Sequence, residues 1–314
     1  MLSQTEKAFI FFVAAGALLV LITFYKLAHF FYFYIRTGSL KRYNKNGGAW
    51  ALVTGSSDGI GQAIAHELCS QGFNIILHGR NPTKLSSVQS NLVASFPKTQ
   101  FRTFIADAAA STEITAAAIQ ELVASIKDLD LTVLANNVGG AGNLAVAFTA
   151  FTDHTTKEID DLVSINMLFT LHLTHALLPL LIRQKSALII NTGSTGQIGL
   201  PYISVYSPTK AFLSAWGNAM SIEMQSEGHD VEVLTVMSSN TQTGQDRRAA
   251  TLSRPTSRTF AKAALAKVGC GNTVVVGYFR HGVAIALISL LPEWAQRMVL
   301  IMALKPYKGK NLDS

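Results

Sequence analysis

The chain has 314 residues, 49% hydrophobic and only 14% charged, with a formal charge of +7; that length holds one large or two small domains. Its two cysteines, Cys69 and Cys270, lack metal-ligand spacing, and its eight histidines form no H-E-x-x-H cluster, so neither a metal site nor a disulfide framework is expected. The central part carries no Lys/Arg run or aromatic-basic interleaving, so the positive charge does not point to nucleic acid.

Residues 8–25, AFIFFVAAGALLVLITFY, form an uncharged run of 18 residues. As a helix this run measures about 27 Å, close to the roughly 30 Å hydrocarbon core of a bilayer. The aromatics of LAHFFYFYIR, after Lys26, suit a membrane–water interface. The run is long for a signal peptide and no A-x-A-like site follows it, so a retained transmembrane anchor is expected. With its basic flank it covers residues 1–47. Arg36, Lys41, Arg42 and Lys45 follow the run, whereas Lys7 before it is offset by Glu6. By the positive-inside rule the rest of the chain faces the cytosol.

Short apolar runs then alternate with helix-length segments. Strands are expected at 49–54, 74–79, 101–107, 131–137, 187–193 and 231–237. Helices are expected at 59–72, 112–127, 157–183 and 205–227. Such alternation requires crossover connections, hence an α/β fold with a doubly wound parallel sheet. The near-continuous apolar character of the strands fits burial on both faces. Residues 48–281 read as one domain.

The first strand runs into TGSSDGIG, residues 54–61, where Gly55, Gly59 and Gly61 punctuate a turn before a helix. Glycines let a backbone approach a pyrophosphate, which the free N–H groups of a helix N-terminus stabilise. A dinucleotide site is expected, touching Gly55, Ser57, Asp58, Gly59, Ile60 and Gly61. The second strand ends in HGRN, with Arg80 where NAD binders place a carboxylate. A guanidinium matches a 2′-phosphate, so the cofactor is expected to be NADP(H). Asp107, closing the third strand, is a candidate for the adenine amino group or for a helix cap. In YISVYSPTKAF, residues 202–212, Tyr206 and Lys210 stand one helical turn apart on one face. An ammonium there is expected to lower the phenol's pKa.

The ordered set of TGSSDGIG, Asp107, NNVG (136–139), Asn166, Ser194, Tyr206 and Lys210 resembles the short-chain dehydrogenase/reductase family over about residues 48–245. VTGSSDGIG, NIILHGRNPTKL, YSPTKAF and the tail fragments TFAKAALAKVG, GYFRHG and LPEW are more closely similar to the membrane-anchored very-long-chain 3-oxoacyl-CoA reductases and 17β-hydroxysteroid dehydrogenases. The resemblance implies a Rossmann-type fold and an NADPH-dependent ketone reductase, with residence at the endoplasmic reticulum. It implies that Tyr206 donates a proton, Lys210 tunes it and holds the nicotinamide ribose, and Ser194 binds the substrate oxygen. Asn166 would hold a relay water, Asn136 would brace the central strand beside the cofactor, and Thr243 would contact the carboxamide. Tyr202 would line the substrate pocket. Three departures stand out. The serine lies twelve rather than thirteen residues before the tyrosine, with Ser194 preferred over Thr195; Ser238-Ser239 replaces a Pro-Gly pair; and the ending KGKNLDS lacks a dilysine signal.

The substrate segment is expected at 244–270. Within it, Arg247, Arg248, Arg254, Arg258, Lys262 and Lys267 are candidates for the phosphates of an acyl-thioester, or form a solvated basic loop. Residues 282–314 form an apolar C-terminal extension, interrupted by Pro292, Glu293 and Arg297 and too short on either side to span a membrane. It reads either as an interfacial helix or as ordinary packing onto the core. The expected partners are a long hydrophobic substrate and a membrane, with a homo-oligomer left open. The rival reading, a catalytically silent NADP(H)-binding scaffold, is opposed by the intact Tyr206, Lys210 and Asn166.

Overall fold

The computed structural model describes residues 3–310 apart from 142, 143, 145, 245 and 247. The chain divides into two units, Met1–Thr37 and Gly38–Ser314. The first is a single helix, α1 (Gln4–Ile35). Its start is fixed by a capping box in which the Glu6 N–H donates to Ser3 Oγ and the Ser3 N–H donates to Glu6 Oε2 at 2.8 Å. No residue of α1 is buried. A helix apolar all round with no buried residue presents the surface that lipid solvates. The Thr23 hydroxyl donates to the Leu19 carbonyl at 2.8 Å, satisfying its polar group within the helix as hydrocarbon surroundings demand. By length and composition α1 is a candidate membrane span.

The second unit runs through β1 (Trp50–Val53), α2 (Gly59–Ser70), β2 (Asn74–Gly79), α3 (Pro82–Ser95), β3 (Phe101–Ile105) and α4 (Thr112–Ile126). It continues with β4 (Leu131–Asn136), α5 (Thr156–Val163), α6 (Phe169–Ile182), β5 (Ala187–Ser194), α7 (Tyr206–Ser226) and β6 (Val231–Ser238). It closes with α8 (Ser257–Leu265), β7 (Val274–Val276), α9 (Phe279–Ser289) and α10 (Glu293–Leu304). The strands form one parallel sheet in the order β3-β2-β1-β4-β5-β6-β7, the Rossmann-type doubly wound arrangement. The winding reverses between β1 and β4, which opens a crevice beyond the C-terminal ends of the strands. β1, β2 and β4 are buried at every position because helices cover both faces. On one face Leu52, Ile76, Phe104, Leu134, Phe169 and Leu173 form the core.

The expected helix over 157–183 is interrupted. Between α5 and α6, residues 164–168 form a π turn in which the Phe169 N–H reaches the Ser164 carbonyl five residues back. The extra residue turns Asn166 inward, where it is fully buried. This stretch is also long and apolar enough to cross a membrane, but 44% of its window is buried inside the second unit, which marks a core helix. α3 and β7 lie outside the expected elements. Asn81 caps α3 by accepting from the Lys84 N–H at 3.0 Å, with Pro82 at the first helical position.

The basic flank expected to trail the anchor is built into the second unit from Gly38 onward. Tyr43, 1% exposed, donates its hydroxyl to Glu232 Oε2 at the base of β6, and Arg42 pairs with Asp230. Glu232 Oε1 in turn accepts from the Gly269 N–H at 2.7 Å. Burial and the adjoining carboxylate push the Tyr43 phenol up from its ordinary value, so it stays protonated and donating. Removing only this hydroxyl, Tyr43→Phe, is expected to cost about 1.5–3 kcal/mol as a hydrogen bond to a charged group. Tyr43→Ala is expected to cost about 3–5 kcal/mol by opening a cavity. Both are read as lowered midpoints in thermal unfolding, with Ala lower than Phe.

Candidate active site

Two cavities meet at the C-terminal edge of the sheet. The first, about 510 Å³, runs over the switch point between β1 and β4. The second, about 700 Å³, lies beyond it, and Ile60, Tyr206, Ser238 and Thr243 line both.

The floor of the first cavity is the turn from β1 into α2. Gly55, Ser57, Asp58, Gly59 and Ile60 all line it. Gly61 lies behind the turn, where an added Cβ would sit 2.3 Å from the Gly55 carbonyl oxygen, so only glycine lets the helix start this close. Asp58 caps α2 through the Gly59 N–H. The turn is held from two sides. Thr54 Oγ accepts from the Asn137 and Val138 N–H groups at 2.8 and 3.0 Å. His78 Nδ1 accepts from the Gly55 N–H at 3.2 Å. Burial pulls the His78 pKa down to about 4, so the ring is neutral and its proton lies on Nε2. Sequence reasoning missed both Asn137 and His78. The NNVG motif pointed at Asn137, but nothing local to HGRN pointed at His78.

Arg80 and Asp107 line the same cavity at the ends of β2 and β3, 3.9 Å apart. Asp107 turns its own loop by accepting from the Ala109 N–H at 3.1 Å, while Ser111 rather than Asp107 caps the helix that follows. Lys84, on the first turn of α3, adds a second cation to this wall. Asn136 does not line the cavity. It is buried in the core, donating to Thr174 Oγ and Asn191 Oδ1 at 3.0 Å each, and this bracing agrees with a structural role rather than cofactor contact.

Ser194 ends β5 and Tyr206 starts α7; Tyr206 lines both cavities, and Ser194 lines the second. Lys210, one turn along α7 and 3% exposed, donates to the Thr192 carbonyl at 3.1 Å, with its Nζ 5.7 Å from the Tyr206 ring centroid. Burial pulls the Lys210 pKa down to about 8. Burial pushes Tyr206 up, and the facing Ser194 hydroxyl opposes that rise. The expected lowering of the phenol by the ammonium does not enter that balance, in which burial is the largest cause. Asn166 donates to the Gly140 and Leu162 carbonyls at 2.9 and 3.0 Å, and its Oδ1 accepts from the Gly140 N–H at 2.8 Å. Both amide protons are thus used, which leaves its side chain no donor for a relay water. A Cβ on Gly139 would meet Asn166 Oδ1 at 2.7 Å and Lys210 Nζ at 3.0 Å, so this glycine lets the two groups converge.

The second cavity is walled by apolar groups including Leu144, Phe148, Leu162, Leu200 and Val205, and Tyr202 lines it as expected. His154, its side chain 2% exposed, is a polar exception on that wall that sequence reasoning did not single out. Ser238, standing where a proline was expected, donates its hydroxyl to the Gly193 carbonyl at 3.1 Å and so ties β6 to β5. Thr243 lines both cavities and is braced by Asp246, whose N–H donates to Thr243 Oγ at 3.1 Å. The arginines of the basic segment are largely paired with acids. Asp246 takes a bidentate pair from Arg248 and lies 3.7 Å from Arg254, while Arg258 lies 3.7 Å from Glu67. Lys267 is buried and Lys262 is exposed. Arg247 lies outside the described residues. A free cluster of six cations facing a phosphate is therefore not what the segment presents.

Comparisons with known proteins accord with this geometry. Residues 49–251 match the family described as short chain dehydrogenase. A very-long-chain 3-oxoacyl-CoA reductase of Coprinopsis cinerea is 38% identical over 236 residues, covering 74% of this chain and 67% of the relative. One from Scheffersomyces stipitis is 34% identical over 285 residues, covering 85% and 80%. Among solved structures, a short-chain dehydrogenase from Sphingobium yanoikuyae in complex with NADPH superposes with a TM-score of 0.63 at 22% identity, covering 78% of this chain and 97% of that one. The glycine turn, the Ser194–Tyr206–Lys210 convergence and the family match over most of the second unit together make this chain a member of the short-chain dehydrogenase/reductase family of oxidoreductases.

Proposed function

We propose that this protein is a membrane-anchored, NADPH-dependent reductase of the ketone in long-chain 3-oxoacyl thioesters, with its catalytic unit on the cytosolic side of the endoplasmic reticulum. The observation that carries the reading is the part-buried Tyr206, flanked by Ser194 and Lys210, at the boundary between a glycine-floored groove and a large apolar cavity. When bound, the reduced nicotinamide supplies a hydride to the carbonyl carbon. Tyr206 gives its proton to the carbonyl oxygen, completing the alcohol. A phenol pushed up by burial is fully protonated at neutral pH, as reduction requires. Ser194 hydrogen-bonds the same oxygen and stabilises the charge that develops on it. Lys210, charged below its pKa of about 8, holds the ribose hydroxyls and stabilises the phenolate left behind. The apolar wall of Leu144, Phe148 and Leu200 takes the acyl chain. Arg80 and Lys84 supply the two cations that a ribose 2′-phosphate needs. The relatives' names support the thioester, and α1 supports the anchor.

The direct test follows NADPH oxidation by the full chain in detergent against long-chain 3-oxoacyl-CoA, steroid ketones and short water-soluble ketones. The thioester is expected to give the highest kcat/KM; absence of turnover on every ketone would favour the silent scaffold. Tyr206→Phe is expected to lower kcat by about 10²–10⁴-fold, the usual contribution of a positioned acid, while NADPH still binds. The pH profile of kcat/KM reports free-enzyme ionisations. It should fall as pH rises through about 8, where Lys210 loses its proton. Lys210→Arg should move that limb upward. Arg80→Ala should weaken NADPH binding by roughly 10–100-fold, for a loss of about 1.5–3 kcal/mol of charge-assisted hydrogen bonding, with NADH little changed. Calorimetric titration of both coenzymes reads the difference.

A further inference from the structure

The C-terminal extension is anchored at its two ends and leaves α10 between them uncovered. No residue of α10 is buried. Leu290, Trp294, Met298, Ile301 and Met302 are 80, 67, 52, 51 and 62% exposed, and Leu287 before them is 60% exposed. Their spacing of three and four places Trp294, Met298, Ile301 and Met302 along one stripe of α10. Glu293 and Arg297 pair with each other at 2.6 Å beside it. Monomeric soluble proteins rarely leave so continuous an apolar face in water.

We propose that α9 and α10 lie in the interface of the same bilayer crossed by α1, with the stripe sunk among the acyl chains. This rests on the membrane-anchor reading of α1. Three observations favour lipid as the occupant. α1 ends at Ile35 and the second unit starts at Gly38, so a bilayer is never more than a short link away. At 11 and 12 residues, α9 and α10 are too short to cross hydrocarbon but suit an interfacial position. From Phe279 to Lys310 the only acid is the paired Glu293, while Lys305, Lys308 and Lys310 follow the stripe, all exposed, and complement anionic headgroups. Trp294 is the residue type that settles at headgroup level.

The C-terminal end of α10 is tied to the substrate cavity. Leu304 lines that cavity. Beyond it, the Tyr307 hydroxyl accepts from Arg248 at 3.1 Å, and the Gly309 N–H donates to the Phe148 carbonyl at 2.8 Å. One helix therefore carries an exposed lipid-soluble face at one end and a wall of the reaction chamber at the other. A long-chain substrate dissolved in the bilayer reaches the cavity along it without crossing water.

Two readouts test this separately from catalysis. The full chain is placed in nanodiscs of brominated phosphatidylcholine and phosphatidylserine, and tryptophan emission is recorded. α1 contains no tryptophan, Trp50 is buried at 6% exposure and Trp216 is part-buried, so quenching reports Trp294. Part of the emission is expected to be quenched relative to unbrominated lipid, and Trp294→Phe is expected to abolish that part. Unquenched emission, or quenching that survives Trp294→Phe, overturns the proposal; so does a second copy of the chain occupying the face, seen as paired chains per disc with no quenching. The double variant Leu290→Asp/Met298→Asp should raise KM for a membrane-partitioned 3-oxoacyl thioester by about tenfold, the factor corresponding to ~1.4 kcal/mol of lost interfacial binding. Turnover of a short, water-soluble ketone should be unchanged. An equal effect on both substrates overturns the delivery route even if quenching is observed.

Discussion

The groove depends on one hydroxyl. Thr54, fully buried at the end of β1, accepts two backbone N–H groups from the residues leaving β4, and its carbonyl accepts from the Asn137 side chain at 3.1 Å. β1 and β4 are the strands between which the winding reverses, so their connections diverge to opposite faces. The parallel ladder joins the two strands as far as the bond from the Thr54 N–H to the Ala135 carbonyl, and the Thr54 hydroxyl carries that tie one step further, into the loops at the mouth of the crevice. His78 completes the constraint from β2, fixing the first glycine of the turn through a ring clamped between Phe104 and Phe169. The flexible-looking turn is thereby among the most tightly tied segments of the second unit.

Burial governs the chemistry as much as charge does. Tyr206 and Lys210 are both taken out of water, which favours the neutral form of each. In the proposed mechanism these shifts act in the useful direction on the phenol, which would hold its proton until the carbonyl oxygen becomes basic. For the lysine they act against the cation, and the Thr192 carbonyl is the contact that compensates. The pair works only while both effects are balanced by the walls around it, including the Gly140 backbone that Asn166 clamps in place.

The parts of the fold written in short-range pattern were legible. Strands buried on both faces read as unbroken apolar runs, the glycine turn declared itself between a strand and a helix, and Tyr206 and Lys210 share a helical face whatever surrounds them. Contacts set by distant residues were not legible. Tyr43 finds Glu232 some 189 positions away. His78 meets Gly55 only because β1 and β2 pair in one register. Asp246, one residue before Arg247, changes the meaning of the arginines after it. The break between α5 and α6 was hidden for another reason: its apolar periodicity runs through the π turn without a Gly or Pro to mark it.

That π turn makes this stretch unusually sensitive to chain length. A single added residue in a helix advances the azimuth of everything beyond it by roughly 100°. Here the surplus residue is absorbed locally, so that the α5 face contributing Leu162 to the cavity wall and the α6 face carrying Phe169 and Leu173 to the core are both correctly aimed. Losing one residue between Thr156 and Ile182 would let the segment relax to uniform winding and turn one of those faces outward. Insertions and deletions should therefore be far less tolerated across this helix than its plain hydrophobic composition suggests, even where every individual side chain could be exchanged for another of similar size.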